Sequence, residues 1–489
     1  MIGRIRQFGW FGASVGMILV LGGCAENQPP PPGTTAVNAA PAATDSSAVT
    51  TTVSTDANLP PIVPPAPPPP PAADRIYPVM VGIDVLAAQN FAPIAGKRVG
   101  LLTHPPGVNR DGVSTIEVLR HAPNVKLVAL YGPEHGVFGS YTFGKLVPDT
   151  VDKKTGLPVL SLYGEGPLAM KRKLKGIQAL VIDLQDIGVR SYSFSAMLRY
   201  AMEACFESGI EVVVLDRPNP LGGLKVDGPL LERELMSGIG AYRIPYVHGL
   251  TIGEIANMAA AAPGVLEIPE AVRAKGKLTV IPMRGWKREM RWTETGLKFV
   301  PTSQLIQNFE TCVGYAMIGP GTQIGGFTSG VGPLYPFRGL AYPGKTTDVL
   351  IKELEALHVP GVSYRKINTS NKAGKPATGI YVDISDWEAW HPTELSFQLM
   401  RLACKFSGTN PFANAKPVQA RGLNIILGSN EWWTALKRDG AKVDVEAFVK
   451  EWQQKNQIYQ QVVRKYWLYS AELPAVAIPP PTAIVSASA

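Results

Sequence analysis

The sequence predicts an α/β fold, with a Rossmann-like parallel-sheet domain followed by a smaller α+β auxiliary domain. Residues 98–216 alternate short apolar or β-branched runs with segments of helical spacing. Continuous apolar runs of this kind are typical of parallel strands covered on both faces. Polar motifs follow several of these runs, where the carboxyl ends of the strands would lie. After Pro263 the alternation gives way to a Gly-rich stretch and a Trp pair, which indicates a second domain.

Five runs in the first domain are predicted as strands and two segments as helices. The strands span residues 98–103, 126–131, 158–163, 177–183 and 211–216. The helices span 114–121 and 194–208, with Ser114 and Ser193 as the expected N-caps. Alternating strands and helices form right-handed βαβ crossovers. No Gly-x-Gly-x-x-Gly motif follows the first strand, so nucleotide binding is not indicated.

The chain divides into five predicted segments. They are a lipoprotein signal peptide over residues 1–24, a disordered Pro/Ala/Thr-rich tether over 25–76, the Rossmann-like domain over 77–262, the auxiliary α+β domain over 263–470, and a disordered tail over 471–489. Two domains agree with the length of the body. The auxiliary domain is predicted to contain a strand over 278–283 and helices over 393–405 and 445–466.

The N-terminus has the order of features found in exported lipoproteins. Two arginines precede an apolar run over residues 8–21, which is too short for a comfortable membrane span. The run ends in LGGC at 21–24, which resembles a lipobox and makes Cys24 the expected lipid anchor. The alternative is an ordinary signal anchor with an incidental cysteine. Because Ala25 rather than Asp follows, we expect the periplasmic side of the cell envelope, with the outer membrane favoured.

Composition limits the partners and cofactors of the chain. The formal net charge is +8, but no basic cluster with interleaved aromatic residues appears, so no nucleic-acid partner is expected. The diffuse positive charge is compatible with an anionic cell wall. Besides Cys24, the three cysteines are widely spaced and lack a CxxC pattern, which predicts buried thiols, with one pair as an open alternative. Neither a metal nor another cofactor is expected.

Three polar segments follow predicted strands and are expected to meet at one edge of the sheet. GPEHG lies at 132–136, DLQDIGVR at 183–190 and DRPNP at 216–220. In open parallel sheets, ligands bind outside the carboxyl ends of the strands. Acidic, amide and arginine groups gathered there would form a polar cleft suited to a hydroxyl-rich ligand.

The first two segments contain the strongest candidates. Glu134 is the candidate catalytic acid, because a carboxylic acid fixed in a tight loop can protonate a leaving oxygen; the alternative is a carboxylate that caps a helix. His135 would position Glu134 or bind a hydroxyl, unless it is structural. Gln185 and Asp186 would face the ligand from the loop after the strand that Asp183 ends. Arg190 would bind the ligand or form an ion pair with Asp186.

The third segment and its neighbours supply further candidates. Asp216, Arg217 and Asn219 lie in a stretch stiffened by two prolines, which holds polar groups at low entropic cost. Asp227 is a candidate second carboxylate, or else a turn residue before Gly-Pro. His248 precedes a predicted capping box.

In that capping box, Thr251 is the expected N-cap and Glu254 its partner, so Glu254 is assigned a structural role.

Seven ordered motifs together resemble the former DUF1343 family. They are GIDVL at 82–86, GPEHG at 132–136, GLPVLSLYG at 156–164, DLQDIGVRSY at 183–192, LDRPNPLGG at 215–223, VDGP at 226–229 and VHGLTIGE at 247–254. RKYWLY at 464–469 is also similar to the family's C-terminal end. Characterised members are exo-β-N-acetylmuramidases of the NamZ type. The resemblance implies that the Rossmann-like domain is catalytic and that the site lies in the cleft between it and the auxiliary domain.

The second domain departs from the family pattern. A usual Ser-Pro-Asn segment is replaced by FVPTSQ at 299–304. The usual GRGT…PF stretch reads GGFTSGVGPLYPF at 325–337 and lacks the expected arginine. The carboxylates of the first domain are kept, whereas the second wall of the cleft differs.

The resemblance implies an exo-acting glycosidase that removes terminal N-acetylmuramic acid from the non-reducing ends of peptidoglycan fragments. Glu134 would be the general acid, with Asp186 or Asp227 as the second carboxylate. The residues expected to bind sugar or lactyl groups are His135, Asp183, Gln185, Arg190, Asp216, Arg217, Asn219 and His248. The alternative is a non-catalytic peptidoglycan-binding lipoprotein. A wall esterase or amidase is less favoured, because the body contains neither Gly-x-Ser-x-Gly nor His-Glu-x-x-His.

Overall fold

The computed structural model describes residues 79–371 and 373–471. The predicted signal peptide, tether and lipid-anchor cysteine lie outside these residues, as does the predicted tail beyond Ala471. No helix within the described ranges combines the length and the apolar character needed to span a membrane.

A seven-stranded sheet organises the first half of the body. Its strands are β1 (Arg98–Thr103), β2 (Lys126–Gly132), β3 (Thr150–Val151), β4 (Pro158–Ser161), β5 (Ala179–Asp183), β6 (Glu211–Leu215) and β7 (Leu278–Ile281). The strand order is β3-β4-β2-β1-β5-β6-β7. Only β3 is antiparallel to its neighbour, and the other pairs are parallel. The predicted Rossmann-like parallel sheet is thus confirmed.

Helices cover both faces of this sheet. They are α1 (Gly82–Ala88), α2 (Thr115–Arg120), α3 (Pro167–Lys173), α4 (Ser193–Glu207), α5 (Ile252–Ala261) and α6 (Glu270–Arg273). Successive residues of β5 show why both faces must be covered: Val181 packs in one hydrophobic core, and Leu180 and Ile182 pack in the other. Alternating directions of side chains along a strand produce this division, so an entirely apolar strand needs a core on each side.

The two predicted N-caps have different roles. Ser114 caps α2 as expected, because its hydroxyl accepts a hydrogen bond from the backbone of Glu117 at 3.2 Å. Ser193 is the first residue of α4, and Tyr192 occupies the N-cap position without a side-chain bond. The Ser193 hydroxyl instead donates to Glu134, a residue distant in the chain, and does not cap its own helix.

The strand over Leu278–Ile281 corrects one detail of the sequence interpretation. The sequence places it in the second domain, whereas it pairs in parallel with β6 as the edge strand of the main sheet. Helix α5 provides the crossover between these two strands and packs against both of them. The crossover runs from the end of β6 at Leu215 to the start of β7 at Leu278. So long a connection resembles a domain boundary in the sequence, which explains why this strand is predicted in the second domain.

The second half contains short antiparallel sheets and a group of helices. The strands are β8 (Gly330–Val331), β9 (Tyr335–Pro336), β10 (Gly339–Leu340), β11 (Val362–Ser370) and β12 (Pro376–Ile384). The helices are α7 (Phe309–Ile318), α8 (Thr347–Glu355), α9 (Glu394–Ser407), α10 (Pro417–Leu427), α11 (Asn430–Asp439) and α12 (Val445–Val463). Their apolar faces share one core that includes Trp390 and Trp432. This half matches the predicted α+β class.

Candidate active site

The predicted convergence of polar loops occurs at the C-terminal edge of the main sheet. Strand β1 lies between β2 and β5, so the chain connections run outward in both directions from the β1–β5 pair. Such a reversal of strand order leaves a crevice at the strand ends, where ligands of open α/β sheets bind. The loops after β1, β2, β5 and β6 begin there with His104, Pro133, Leu184 and Asp216.

Glu134 is buried in the loop after β2, with 4% of its surface exposed. One carboxylate oxygen, Oε1, accepts hydrogen bonds from the backbone of Gly144 and from the Tyr163 hydroxyl, both at 3.0 Å. The other oxygen, Oε2, accepts from the Ser193 hydroxyl at 2.7 Å. Donors from three separate segments therefore fix the orientation of the carboxyl group.

The partners of Glu134 suit a group that changes its protonation state. A hydroxyl can donate to a carboxylate or turn to accept from a carboxylic acid. Ser193 can therefore keep its bond to Oε2 when that oxygen carries a proton. Gly144 offers only a backbone donor, so it favours an unprotonated Oε1.

His135 adopts a left-handed backbone conformation next to Glu134, with φ of 70°. Its Nδ1 lies 2.8 Å from the carbonyl oxygen of Tyr141. Because a carbonyl only accepts, Nδ1 carries a proton, and in the neutral ring Nε2 is then the acceptor. This contact closes the loop that provides the Gly144 donor to Glu134.

Asp186, in the loop after β5, forms a buried pair with His248, which lies just before α5. The backbone N–H of Leu250 donates to His248 Nδ1 at 3.2 Å, so the ring proton of the neutral histidine lies on Nε2. That proton points to Asp186 Oδ2, 3.2 Å away, which also accepts from the Gly188 backbone at 2.8 Å. The second oxygen of Asp186, Oδ1, is buried without a hydrogen-bond partner.

Asp183 and Arg217 form a second buried pair. Arg217 donates from Nε to Oδ1 of Asp183 at 2.5 Å and from Nη2 to Oδ2 at 2.8 Å. Oδ2 of Asp183 also accepts from the Thr115 hydroxyl. Both oxygens of Asp183 are therefore engaged, and its effect on a ligand would be to hold Arg217 in place.

Gln185 connects the two pairs to β1. Its side-chain nitrogen donates to the carbonyls of Asp186 and Pro218, at 2.7 and 2.8 Å, while its Oε1 is buried without a partner. The Gln185 backbone donates to Nε2 of His104 at 2.8 Å. Burial, reinforced by the nearby Arg217 charge, holds the pKa of His104 well below its usual range. His104 is therefore neutral, with its proton on Nδ1, which also lacks a partner.

Two other predicted residues hold the surrounding backbone. Asp216 accepts four hydrogen bonds, from the backbone of Arg217 and Gly253 and from the hydroxyls of Thr251 and Tyr469. Burial raises the pKa of this carboxyl group.

Asn219 bridges the backbones of Leu221 and Leu250 at 3.0 Å. Gly188 packs so closely that a β-carbon there would lie 2.4 Å from Asn219 Oδ1. Both oxygens of Asp216 are engaged, and the two bonds of Asn219 tie neighbouring backbone segments together.

Arg190 and Asp227 join the two halves of the body instead of lining the polar edge. Arg190 donates to the backbone carbonyls of Pro229 and Ile244, and of Ile426 and Leu427 at the end of α10, over 2.7–3.2 Å. Arg190 makes these contacts in place of the ion pair with Asp186 that was one of its two predicted roles.

Oδ2 of Asp227 accepts from the backbone and hydroxyl of Thr393, at 2.7 and 2.8 Å, just before α9. We call these contacts of Arg190 and Asp227 the junction.

Sequence reasoning missed several residues of this edge. His104 follows β1 directly, so the strand-end rule that found the other loops could have found it. Tyr163 follows β4 and could have been found in the same way, whereas nothing local indicates that Thr115 or Ser193 would contact a carboxylate.

The described residues show no metal-binding cluster. No group of three or more His, Cys, Asp or Glu side chains within these ranges could hold a metal ion. Cys205, Cys312 and Cys404 are free and buried, so no pair forms among them.

Comparisons with known proteins agree with this architecture. The chain is 33% identical over 404 residues to Peptidoglycan beta-N-acetylmuramidase NamZ of Bacillus subtilis (strain 168), covering 80% of this chain and 91% of the relative. A solved DUF1343 family protein of Bacteroides fragilis NCTC 9343 matches with a TM-score of 0.72 and 34% identity, over 81% of this chain and 100% of the other. A second one, with a TM-score of 0.61 and 23% identity over 81% and 99%, shows the shared fold.

Two family models cover both halves of the body. Residues 99–310 match the model described as exo-beta-N-acetylmuramidase NamZ, N-terminal, and residues 313–469 match its C-terminal counterpart. These matches include the polar edge and the junction, and together they span well over half of the chain. The chain therefore belongs to the NamZ exo-β-N-acetylmuramidase family.

Proposed function

We propose that this protein is an exo-acting β-N-acetylmuramidase, a glycoside hydrolase that removes terminal N-acetylmuramic acid from the non-reducing ends of peptidoglycan fragments. The observation that carries the proposal is the match to a peptidoglycan β-N-acetylmuramidase across 91% of that relative's length. The polar edge supplies the groups that such a reaction needs, namely a fixed acid and a second carboxylate with a free oxygen.

Glu134 is the general acid of this proposal. Oε2 accepts from the Ser193 hydroxyl, which can also act as an acceptor. A proton on Oε2 would pass to the glycosidic oxygen as the bond to the anomeric carbon breaks. The leaving sugar departs as an alcohol and Glu134 becomes a carboxylate. Tyr163 and Gly144 then stabilise the negative charge through Oε1.

Asp186 is the second carboxylate of this proposal. Its Oδ2 is held by His248 and the Gly188 backbone, and its Oδ1 has no partner. A carboxylate in this position can stabilise the positive charge that develops on the sugar ring, or activate a water molecule. Asp227 is less suited, because its carboxylate fixes the start of α9 from across the junction.

The remaining predicted residues divide by their contacts. His135 Nε2 and Gln185 Oε1 are left available to bind hydroxyl or amide groups, and so is Nδ1 of His104, a residue that sequence reasoning missed. Asp183 and His248 act as positioning residues for Arg217 and Asp186. The contacts of Arg190, Asp216, Asn219 and Asp227 described above hold backbone segments in place.

The test is aglycone release from a chromogenic β-N-acetylmuramide and from the matching β-N-acetylglucosaminide. We expect release from the muramide alone, and free N-acetylmuramic acid from glycan fragments that end in this sugar. Retention on peptidoglycan without release from either substrate would favour the non-catalytic binding protein instead.

We further propose that Cys24 carries a lipid that anchors the protein to the periplasmic face of the outer membrane. The proposal rests on the LGGC sequence and on the Ala25 that follows it. Labelled palmitate should be incorporated into the wild-type protein and not into a Cys24→Ala variant, and membrane fractionation should place the wild type with the outer membrane. Equal labelling of both proteins would show that Cys24 is not the site of lipid attachment.

A further inference from the structure

A narrow crevice with cationic lining lies beside the proposed active site. Its walls include Arg110, Gln185, Arg217, Trp292 and Lys298. Gln185 and Arg217 follow β5 and β6, whereas Trp292 and Lys298 come from the segment after β7. We call this feature the cationic crevice.

Two buried side chains of the cationic crevice have unused hydrogen-bonding groups. Gln185 is 1% exposed, and its Oε1 has no partner although its Nε2 is bound to two carbonyls. Arg217 is 4% exposed, and its bonds to Asp183 and to the Val108 carbonyl use Nε and Nη2 and leave Nη1 out. An unpaired buried polar group destabilises a protein, so Gln185 Oε1 indicates a ligand with a hydrogen-bond donor. Arg217 Nη1, which takes no part in the bonds to Asp183 and Val108, can donate to an acceptor of the same ligand.

The outer part of the cationic crevice carries two exposed cations. No ion pair within 4.0 Å among the described residues involves Arg110 or Lys298. Two carboxylates lie nearby: Asp84 accepts from the Arg110 backbone, and Asp183 pairs with Arg217. With Arg217 included, three cationic side chains of the crevice are therefore set against two carboxylates. The excess of positive charge favours an anionic ligand, while the buried Trp292 ring offers an apolar surface beside it.

The spacing of the strands relates the cationic crevice to Glu134. Glu134 follows β2, and the crevice lies at the ends of β5 and β6, two and three strands away. Neighbouring strands are about 4.8 Å apart, so the separation along the edge is roughly 10–14 Å. One sugar residue with an acidic substituent on its ring would extend from the reacting bond at Glu134 toward this crevice.

We propose that the cationic crevice binds the lactyl carboxylate of the terminal N-acetylmuramic acid and thereby selects this sugar over N-acetylglucosamine, which lacks the group. The inference rests on the proposed function. Arg217 Nη1, Arg110 and Lys298 attract the carboxylate, and Gln185 Oε1 accepts a hydrogen bond from an amide or hydroxyl of the same sugar.

The test uses calorimetric binding of N-acetylmuramic acid and of its neutral lactyl methyl ester to the purified protein. Lys298→Met and Arg110→Met should each weaken binding of the acid about fivefold, because each removes one partly solvated charge interaction. Binding of the ester should not change. The matched control is Lys437→Met, which removes an exposed lysine of α11 and should leave both affinities unchanged.

Equal losses for the acid and the ester, or no loss for either, would overturn the inference. The carboxylate that binds in the crevice could belong to the lactyl group or to the peptide stem. N-acetylmuramoyl dipeptide distinguishes these two sources, because its lactyl group is an amide and its negative charge lies on the peptide. A fivefold loss confined to the dipeptide would assign the crevice to the peptide stem and overturn the lactyl assignment. Binding does not require turnover, so charge-dependent binding without aglycone release would reject the proposed function and not the crevice.

Discussion

The polar edge and the junction contain the same kinds of buried residues but use them differently. At the edge, Asp186 and Gln185 each keep one buried oxygen without a partner. At the junction, Arg190 donates to four backbone carbonyls and Asp227 binds the start of α9 from the other half of the body. Burial of a polar side chain therefore does not identify its role. An unpartnered atom alone does not identify it either, because Nε of Arg190 is also buried without a partner. The groups that we assign to a ligand combine an unpartnered oxygen with a position at the carboxyl ends of the strands.

The largest effect is expected at the edge, for Glu134→Gln. An amide cannot supply the proton, so kcat for the chromogenic muramide should fall on the order of 10²–10⁴-fold while Tm stays close to that of the wild type. The matched control is Glu165→Gln, in the loop after β4, where the carboxylate forms a surface ion pair with Lys173 at 2.7 Å. Near-wild-type turnover by Glu134→Gln would remove this residue from the mechanism.

The junction should respond in the opposite way, with a loss of stability. Arg190→Met leaves four buried carbonyls without their donor. We expect the free energy of unfolding in urea to fall by about 4 kcal/mol, at roughly 1 kcal/mol for each lost bond, with kcat of the folded fraction preserved. Arg438→Met removes an exposed arginine of α11 and should change little. An unchanged urea midpoint for Arg190→Met would contradict the structural assignment.

The contact between α5 and the C-terminal segment predicts a pH dependence. Glu254 is buried beside Arg288, at 2.6 Å, and accepts from the Leu468 backbone. Burial raises its pKa from 4.5 to about 7. Because the folded state holds the proton more tightly, the stabilising contribution is complete below about pH 4.5 and is lost as the pH rises through about 7.

The shift in the pKa of Glu254 corresponds to about 3 kcal/mol in the free energy of unfolding, and Glu254→Gln should remove this pH-dependent contribution. The measurement is Tm between pH 5 and pH 8, where the wild type should lose more stability than the variant. An identical pH profile for the two proteins would show that Glu254 does not titrate in this range.

The smallest effect is expected for Tyr469→Phe. The Tyr469 hydroxyl donates to Asp216 and accepts from the Met283 backbone, both at 2.7 Å. Its loss should lower the free energy of unfolding by about 1–2 kcal/mol, because a buried backbone donor is left unpaired. Since Asp216 supports the backbone of Arg217, KM should rise slightly while kcat is unchanged. A kcat loss as large as that of Glu134→Gln would mean that Asp216 belongs to the chemistry.

The sequence predicted the main sheet well because its signals are local. Apolar runs over 98–103 and 211–216 match β1 and β6 to within one residue. Parallel topology then requires the polar loops to meet at one edge, so the neighbourhood of Glu134, Asp183 and Asp186 could be predicted without knowing any contact.

The division of roles within that neighbourhood could not be predicted. The partners that Arg190 and Asp227 have in the other half of the body lie more than 150 residues away in the chain, for example at Leu427 and Thr393. No local pattern specifies such contacts. The same holds for Ser193, whose hydroxyl could cap its own helix or bind Glu134, and only packing of α4 against the sheet decides between them.

The most direct test of this account compares Asp186→Asn with Asp227→Asn. Both aspartates are candidates for the second carboxylate, and they are almost equally buried, at 4% and 3% exposed. Turnover of the chromogenic muramide, normalised to folded protein, should fall on the order of 10²-fold or more for Asp186→Asn. It should stay within about threefold of the wild type for Asp227→Asn, whose amide oxygen can still accept from Thr393. The reverse order would contradict the assignment of function to the unpartnered groups of the edge.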